Sequence, residues 1–407
     1  MAQSSLSEIF ESYTNTVGLF KDKGALSSDF SPSNIPHREK KIEELAYMLA
    51  PVLRNEKPSN IFIYGKTGTG KSLCIKKVTD SLEEAAEKSG RNVKIMYINC
   101  KMGKVVDTQY RLLVKILSML GENVPFTGLP TNTLHKKLNE KLAERGGNII
   151  MVLDEIDALL EKIGDDILYN ITRISQDVPN TQITIVGISN KPTFVDSLDP
   201  RIRSSLSEEE MVFPPYNANE IKDILQARVE TAFNENAVDY GAITKCSALA
   251  AQENGDARRA LDLLRVAAEL CEREKCKKVS ERFVNSAQEK LDKDRLIEII
   301  KAQPKQSKLV IISMLNLYKL EKKAVQTGDV YNLYEKLAHA NGLKALTQRR
   351  VSDLISELDM LGVINASVVS KGRYGRTRKI NIQLNKSLVS VLKNTLAGEF
   401  TEDFINF

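Results

Sequence analysis

The feature that most constrains the fold is a glycine-rich segment at residues 65–72, with the sequence GKTGTGKS. An apolar run at residues 61–64 precedes it and predicts a buried strand, and a stretch with helical periodicity begins near Ser72. In a strand, loop and helix of this pattern, glycines let successive backbone N–H groups surround a phosphate, and the helix N-terminus adds partial positive charge. The segment therefore predicts a phosphate-binding loop in a parallel α/β domain.

The same loop predicts how a nucleotide and its metal ion would be held. Lys71 would reach the β- and γ-phosphates, and the hydroxyl of Ser72 would bind Mg²⁺. A glycine-rich turn that carries Lys-Ser by chance is the alternative, and the flanking strand and helix argue against it. The predicted nucleotide-binding residues of the loop are Gly65, Lys66, Thr67, Gly68, Thr69, Gly70, Lys71 and Ser72.

Polar residues follow two further apolar runs and complete the predicted site. Asp154, directly after the run at residues 148–153, would support Mg²⁺, and Glu155 would polarise the attacking water as general base. Asn190 follows the run at residues 182–186 and would orient this water or contact the γ-phosphate, since ligands of open α/β sheets bind at the carboxyl ends of the strands. A solvated strand end and an ordinary turn Asn remain the alternatives.

Apolar runs and helical stretches alternate up to residue 213, which predicts an α/β domain with a parallel sheet. Because the chain of 407 residues exceeds what one core usually serves, further domains are expected. Residues 217–290 show helical periodicity without a strand-like run, and a charged connector follows at residues 290–295. The five predicted strands are residues 61–64, 94–98, 148–153, 182–186 and 211–213. Beyond the connector, helices are predicted at roughly 306–320, 328–340 and 347–361 and strands at 364–370 and 378–384.

Basic residues concentrate in this last part of the chain. Residues 347–393 contain nine Lys or Arg and three acids, a local excess of six in a chain of net charge +5. Arg349 and Arg350 lie in a predicted first helical turn, where positive charge opposes the helix dipole and so favours contact with a phosphate. A helix followed by a basic hairpin predicts a duplex DNA surface, with a protein-contact surface as the alternative. The predicted DNA-binding residues are Arg349, Arg350, Lys371, Arg373, Tyr374, Arg376 and Arg378.

Cysteine and hydropathy patterns exclude several other classes. The five cysteines lack the paired spacing of a zinc site and indicate reduced thiols. The sequence shows neither a secretory signal nor a run of ~20 apolar residues, so it predicts a soluble cytoplasmic protein with no membrane partner.

The motifs, in this order and spacing, resemble those of AAA+ ATPases. They are GKTGTGKS at 65–72 (Walker A), LDEID at 153–157 (Walker B), Asn190 (sensor 1) and GDARRAL at 255–261 (sensor 2). With IPHRE at 35–39, FPPY at 213–216 and a winged helix, the chain is similar to archaeal replication initiators related to origin-recognition and helicase-loading proteins. The resemblance implies an AAA+ parallel-sheet nucleotide domain, an α-helical lid and a C-terminal winged-helix domain. The implied segments are an N-terminal extension (1–30), the α/β domain (31–215), the lid (216–293) and the winged helix (294–407).

The resemblance also implies roles for further residues of the nucleotide site. His37 and Arg38 would lie near the adenine, and Tyr216 would lie at the lid junction. Arg258 would approach the γ-phosphate from the lid, with Arg259 as the alternative, and would couple the lid angle to the nucleotide state.

The implied function is that of an origin-binding replication initiator, a slow Mg²⁺-dependent ATPase whose ATP and ADP states control binding of double-stranded DNA and recruitment of the replicative helicase. Other initiator subunits are further implied partners, and Arg201 or Arg203 would act on such a neighbour as an arginine finger. A helical insertion at residues 101–128, with Lys101, Lys104 and Arg111, would also touch DNA. A clamp-loader-like AAA+ subunit and an ATP-responsive winged-helix transcription regulator are the alternative functions.

Overall fold

The computed structural model describes residues 18–28, 30–101, 108–191, 193, 198–206, 208–321, 325–370, 376–381, 392, 396, 399 and 400, with the backbone alone at 175–177, 204–205, 319–321, 370 and 376–377. The chain divides into two compact units, Met1–Asn285 and Ser286–Phe407. The predicted division into segments 1–30, 31–215, 216–293 and 294–407 is finer, and its boundaries stay predictions.

A parallel sheet organises the first unit. Its strands are β1 (Asn60–Tyr64), β2 (Val93–Asn99), β3 (Gly147–Asp154), β4 (Thr181–Ser189) and β5 (Glu208–Val212). They lie in the order β2-β3-β4-β1-β5, with every neighbouring pair parallel. Each strand overlaps one of the five predicted runs, which confirms the α/β class. The strand β5 begins three residues before its predicted run because successive glutamates at 208–210 conceal it from an apolar pattern.

Helices cover both faces of this sheet. They are α1 (Glu39–Leu49), α2 (Lys71–Lys88), α3 (Gln109–Met119), α4 (Thr131–Arg145), α5 (Ile156–Ile163), α6 (Asp166–Asp177) and α7 (Pro200–Leu206). Ile61 and Ile63 belong to one apolar cluster with Ile75 of α2, whereas Phe62 belongs to a second cluster with Leu112 of α3. Alternate residues of β1 therefore pack on different helical layers, which explains why residues 61–64 of the strand are all apolar.

The strand register brings the predicted site residues to one edge. Asn99, the last residue of β2, lies opposite Asp154, the last residue of β3. Asp154 in turn lies opposite Ile188 of β4, and Ser189 lies opposite Tyr64 of β1. The carboxyl ends of four adjacent strands therefore meet where the phosphate loop begins.

Three further helices complete the first unit: α8 (Ala218–Ala232), α9 (Tyr240–Gln252) and α10 (Ala257–Arg273). Gly255 has φ of +67°, and the Asp256 side chain caps α10 by accepting the Arg258 N–H at 2.8 Å. These three helices, called the lid helices below, confirm that residues 218–273 are mainly helical, as the periodicity predicts.

The N-terminal segment packs against these lid helices. The Lys21 N–H donates to the Ala232 carbonyl at 2.8 Å, and the Phe20 ring stacks on Phe233 with ring centroids 4.9 Å apart. Farther along the segment, the Arg228 guanidinium of α8 donates to the Ala25 carbonyl at 3.3 Å. Residues 18–26 are therefore part of the lid packing.

The second unit is a helical bundle with a small antiparallel sheet. Helix α11 (Glu281–Ala302) begins in the last residues of the first unit and continues into the second. Helices α12 (Lys305–Glu321), α13 (Thr327–Ala340) and α14 (Gln348–Met360) precede or flank strands β6 (Val325–Gln326), β7 (Asn365–Ser370) and β8 (Arg376–Asn381). The sheet order is β6-β8-β7. The three predicted helices and the hairpin are confirmed, and the two-residue β6 was too short for a periodic pattern.

The predicted connector at residues 290–295 is wrong, because α11 passes through it. Residues 281–302 contain neither Gly nor Pro, and the first Pro after them is Pro304. Charged residues in this stretch are compatible with a solvated helix surface, so the charge run alone was no evidence for a break. In the part of the chain described, no helix is both long and apolar enough to span a bilayer.

Candidate nucleotide site and nucleic-acid interface

A cavity of about 920 Å³ opens at the carboxyl edge of the five-stranded sheet. Residues 67–72 of the phosphate loop, the strand-end residues Asp154, Glu155 and Asn190, and Tyr216 and Arg258 on the lid side contribute to its lining. The structure thus brings together the predicted phosphate loop, both acids, the sensor Asn and the lid arginine.

Lys71 occupies the centre of the phosphate loop, at the first position of α2, and only 6% of it is exposed. Its ammonium donates to the carbonyls of Gly65 at 2.6 Å and Lys66 at 2.7 Å, and to Asn190 Oδ1 at 2.9 Å. Burial lowers the pKa of this ammonium to about 8, against the raising effect of the Asp154 carboxylate. The lysine and Asn190 therefore sit where the terminal phosphates of a nucleotide are expected.

Three hydroxyl and carboxylate groups converge beside this lysine. The Ser72 hydroxyl donates to Asp154 Oδ2 at 2.8 Å, and the Tyr97 hydroxyl donates to the same oxygen. Burial raises the pKa of the Tyr97 phenol, and the neighbouring Asp154 charge raises it further, so the phenol stays protonated. Hard cations such as Mg²⁺ prefer oxygen ligands, and this set of side chains fits that preference.

Glu155 lies next to this cluster in a strained conformation. Its φ of +56° and ψ of +47° place it in the left-handed region, directly before α5. Its carboxylate lies 3.3 Å from the Lys101 ammonium. The predicted general base is therefore held in an ion pair by a residue just beyond the end of β2.

The lid contacts the phosphate loop directly. Lys66 Nζ donates to Asn254 Oδ1 at 2.6 Å, and the Ala257 N–H donates to the Gly68 carbonyl at 3.2 Å. Arg258 lines the cavity, and its charge contributes to lowering the Lys71 pKa. Arg259 instead donates to Glu253 at 3.1 Å, which favours Arg258 as the residue that faces the phosphates.

Arg38 connects the phosphate loop to two other backbone segments through hydrogen bonds. Its guanidinium donates to the carbonyls of Thr69 at 3.0 Å, His37 at 3.0 Å and Pro214 at 2.7 Å, and it lies 3.8 Å from the centre of the Tyr216 ring. His37 has φ of +63°, and its Nε2 lies 2.8 Å from Asp223 Oδ2. Neither Arg38 nor His37 is among the residues that line the cavity, so their implied adenine contacts stay predictions.

The candidate arginine finger lies away from this cavity. The side chain of Arg201 is 88% exposed, and its Nε lies 3.4 Å from Asp199. Arg203 Nε lies 4.0 Å from Glu208. An exposed Arg201 is accessible to a neighbouring subunit, and its action there stays a prediction.

Four of the predicted DNA-binding residues, Arg349, Arg350, Arg376 and Arg378, lie in the described part of the second unit. Thr347 caps α14 and accepts the Arg350 N–H at 3.4 Å. Arg349 is exposed, and the Arg350 guanidinium lies 3.3 Å from Glu357. Lys371, Arg373 and Tyr374 lie outside the described residues, as does Lys104 of the insertion, and Arg376 is described by its backbone in β8.

Arg378 has a definite partner on the helix. Its guanidinium donates to the Ser352 carbonyl at 3.3 Å and to the Ser356 hydroxyl, both on α14. These contacts tie the second strand of the hairpin to the helix that carries Arg349 and Arg350. Its direct contact with DNA stays a prediction.

Models of three protein families match the chain, one for each part of the fold. An AAA domain matches residues 54–190, the Cdc6 AAA+ ATPase-type lid domain matches 222–289, and the C-terminal winged helix domain of CDC6 matches 298–391. The ORC1-type DNA replication protein of Thermococcus onnurineus is 50% identical over 388 residues, which cover 94% of this chain and 93% of that protein. The chain belongs to the ORC1-type DNA replication proteins.

Other ORC1-type relatives match over a similar length. The ORC1-type protein of Pyrococcus furiosus is 48% identical over 386 residues, covering 94% of this chain and 91% of that protein. The solved structure of the Aeropyrum pernix ORC1 protein in complex with DNA is 42% identical, has a TM-score of 0.81, and covers 94% of this chain and 98% of that chain. The predicted family, its three-part fold and its place in DNA replication are confirmed.

Two residues of this site were not predicted to belong to it: Tyr97 was given no role, and Lys101 was named only as a DNA contact of the insertion, which stays a prediction. Tyr97 lies within a predicted strand, and its position beside the strand that ends in Asp154 was the available signal. The pairing of Lys101 with Glu155 depends on the chain path after β2, which no local pattern reveals.

Proposed function

We propose that this chain is an origin-binding replication initiator in which bound ATP controls DNA binding and recruitment of the replicative helicase. The observation that carries the proposal is the match along 94% of the chain to an ORC1 protein whose structure was solved in complex with DNA. The cavity at the phosphate loop, as a candidate nucleotide site, and the exposed Arg349 on α14, as a candidate DNA contact, support this proposal.

The residues of the cavity support the proposal that the chain hydrolyses ATP to ADP and phosphate in a Mg²⁺-dependent reaction. Magnesium, bound through Ser72 and Asp154, would neutralise negative charge on the phosphate oxygens. Phosphate oxygens can replace the present acceptors of Lys71, and Asn190 is then free to hold the attacking water. Glu155 accepts the proton of that water. Because the Lys101 ammonium competes for the Glu155 carboxylate, we expect hydrolysis to be slow until this ion pair opens.

The contacts between loop and lid support a switch. Arg258 lies on the lid helix α10, so a bond to the γ-phosphate fixes the position of the lid and is lost in the ADP state. The lid also carries Asn254 and Ala257, which hold the loop through Lys66 and Gly68. Movement of the lid and reorganisation of the loop are therefore coupled.

A DNA titration tests the nucleic-acid part of the proposal. We expect Arg349→Ala to weaken binding of duplex DNA, measured by fluorescence anisotropy, and to reduce the slope of log affinity against log salt by about one. Arg54→Ala, at an exposed arginine of the first unit, is the matched control and should leave both values unchanged. Equal salt slopes for the two variants would refute DNA binding by α14. A DNA affinity unchanged by Arg373→Ala and by Arg376→Ala would refute DNA binding by the predicted basic hairpin.

Two further measurements test the switch and its partners. Lys71→Ala should abolish ATP binding and ATP-dependent cosedimentation with the replicative helicase, whereas Lys88→Ala, at an exposed lysine of α2, should preserve both. Footprinting should show protection at replication origins. Protection confined to promoters would contradict the initiator role and support a transcription regulator.

A further inference from the structure

The oxygen cluster at Asp154 receives side chains from three separate elements. Asp154 ends β3, Ser72 lies in the first turn of α2, and Tyr97 lies two residues before the end of β2, where it pairs in register with Val152. The hydroxyls of Ser72 and Tyr97 both donate to Asp154 Oδ2. One carboxylate oxygen is therefore the meeting point of the loop helix and two strands.

Two donors on the same oxygen restrict the rotation of the carboxylate. The terminal torsion of an Asp side chain is broad when nothing constrains it. The Ser72 hydroxyl can donate its hydrogen bond to Asp154 while its oxygen offers a lone pair to a metal ion. The position of the Ser72 side chain therefore depends on the ion. Tyr97 lies on the neighbouring strand, and its hydroxyl can hold the carboxylate independently of the metal.

We propose that Tyr97 is a positioning residue of the nucleotide site, which holds the Asp154 carboxylate in the orientation that receives Mg²⁺ of the metal–nucleotide complex. The inference rests on the proposed function, because it requires that Ser72 and Asp154 support the metal. Partners that orient a metal ligand through a hydrogen bond typically contribute 10- to about 100-fold to metal affinity.

Packing alone does not account for the tyrosine hydroxyl. The Tyr97 ring packs against the apolar cluster that contains Ile61, Ile75 and Val152, a role that a phenylalanine would serve equally well. Since Asp154 is 6% exposed, its hydrogen-bond donors come from the protein more than from bulk water. Tyr97→Phe therefore removes the donor and keeps the ring.

The test separates metal binding from nucleotide binding. Wild type and Tyr97→Phe are titrated with a fluorescent ATP analogue, first with excess chelator and then at increasing Mg²⁺ concentration. With chelator, we expect the two proteins to bind the analogue with equal affinity. In Tyr97→Phe, the Mg²⁺ concentration that gives half of the maximal gain in nucleotide affinity should rise about tenfold or more. Tyr110→Phe is the matched control, because it removes a hydroxyl that donates to the Pro125 carbonyl, away from the cluster.

A direct measurement of metal binding provides the second readout. Mn²⁺ binding in the presence of ADP, followed by electron paramagnetic resonance, should weaken by a similar factor in Tyr97→Phe and stay unchanged in Tyr110→Phe. An unchanged metal midpoint in Tyr97→Phe, or an equal loss of affinity with and without metal, would overturn the positioning role. A wild-type protein that binds the nucleotide without any Mg²⁺ enhancement would overturn the proposed metal site itself.

Discussion

Replacement of Arg38 with lysine tests how the phosphate loop is held from behind. Arg38 is 4% exposed and donates to three backbone carbonyls, those of Thr69 in the loop, His37 and Pro214. Lysine preserves the charge but replaces the planar, five-donor fork with a compact ammonium on a flexible stem. We expect the ammonium to retain one of the three bonds.

The cost follows from the bonds that are lost. A hydrogen bond that involves a charged group contributes about 1.5–3 kcal/mol, so losing two of them costs about 3 kcal/mol or more. Weaker stacking over the Tyr216 ring adds up to about 1 kcal/mol. In a unit of this size, such a loss lowers the melting temperature by roughly 6 °C or more.

Differential scanning calorimetry provides the assay, with the transition of the first unit followed in the full chain. Arg54→Lys, at an exposed position in the same unit, is the control and should change stability by less than about 0.5 kcal/mol. ATP affinity should also fall in Arg38→Lys, because the Thr69 carbonyl loses its donor. If both the melting temperature and the ATP affinity matched those of the control, the three contacts would not hold the loop and the reasoning would be refuted.

Three other predictions concern the loop and the winged helix. ATP affinity should fall about tenfold per pH unit above about 8, because Lys71 is then neutral in the free protein. Lys71→Arg should bind ATP with no such decline, and equal pH profiles of the two proteins in fluorescence titrations between pH 7 and about 9.5 would contradict the prediction. Gly68→Ala should weaken ATP binding more than about tenfold, since residue 68 has φ of +70° and a Cβ there would lie 1.7 Å from Asp256 Oδ1. Gly90→Ala, at a position with φ of +64° and nothing within 4 Å of the added Cβ, should bind ATP normally, and equal affinities of the two variants in isothermal titration calorimetry would count against the lid contact. Leu358→Ala, at a fully buried position, should destabilise the second unit by about 2–5 kcal/mol in urea unfolding without changing ATP affinity, and a loss under about 1 kcal/mol would contradict its place in the core.

The strand-edge part of the candidate site could be predicted because its parts are local in sequence. The phosphate loop is one continuous segment, Asp154 directly follows one apolar run, and Asn190 lies four residues after another, the run at 182–186. Parallel pairing of these strands brings their ends to one edge. The winged helix could also be predicted, because its helices are amphipathic and its two hairpin strands alternate apolar and polar residues. In each case a periodic pattern and a flanking polar residue carry the information.

Contacts between residues distant in sequence could not be predicted in this way. Arg38 reaches Pro214, 176 positions away, and Tyr97 reaches Asp154, 57 positions away. The first contact depends on the path of the chain around the sheet, and the second depends on the exact register between β2 and β3. Hydrophobic patterns specify which face of an element is buried, but they do not specify which polar atoms then meet.

The outer edge of the sheet has a consequence for the behaviour of the protein at high concentration. Among the residues that the structure describes, β5 pairs only with β1, and Glu209 and Glu210 on β5 are exposed. A bare strand edge can recruit the same edge of another molecule and start aggregation, and charged side chains are one means by which proteins prevent this. Two β5 edges that approached each other would oppose like charges. We therefore expect the glutamates, which made the strand hard to recognise from an apolar pattern, also to oppose growth of the sheet beyond one molecule.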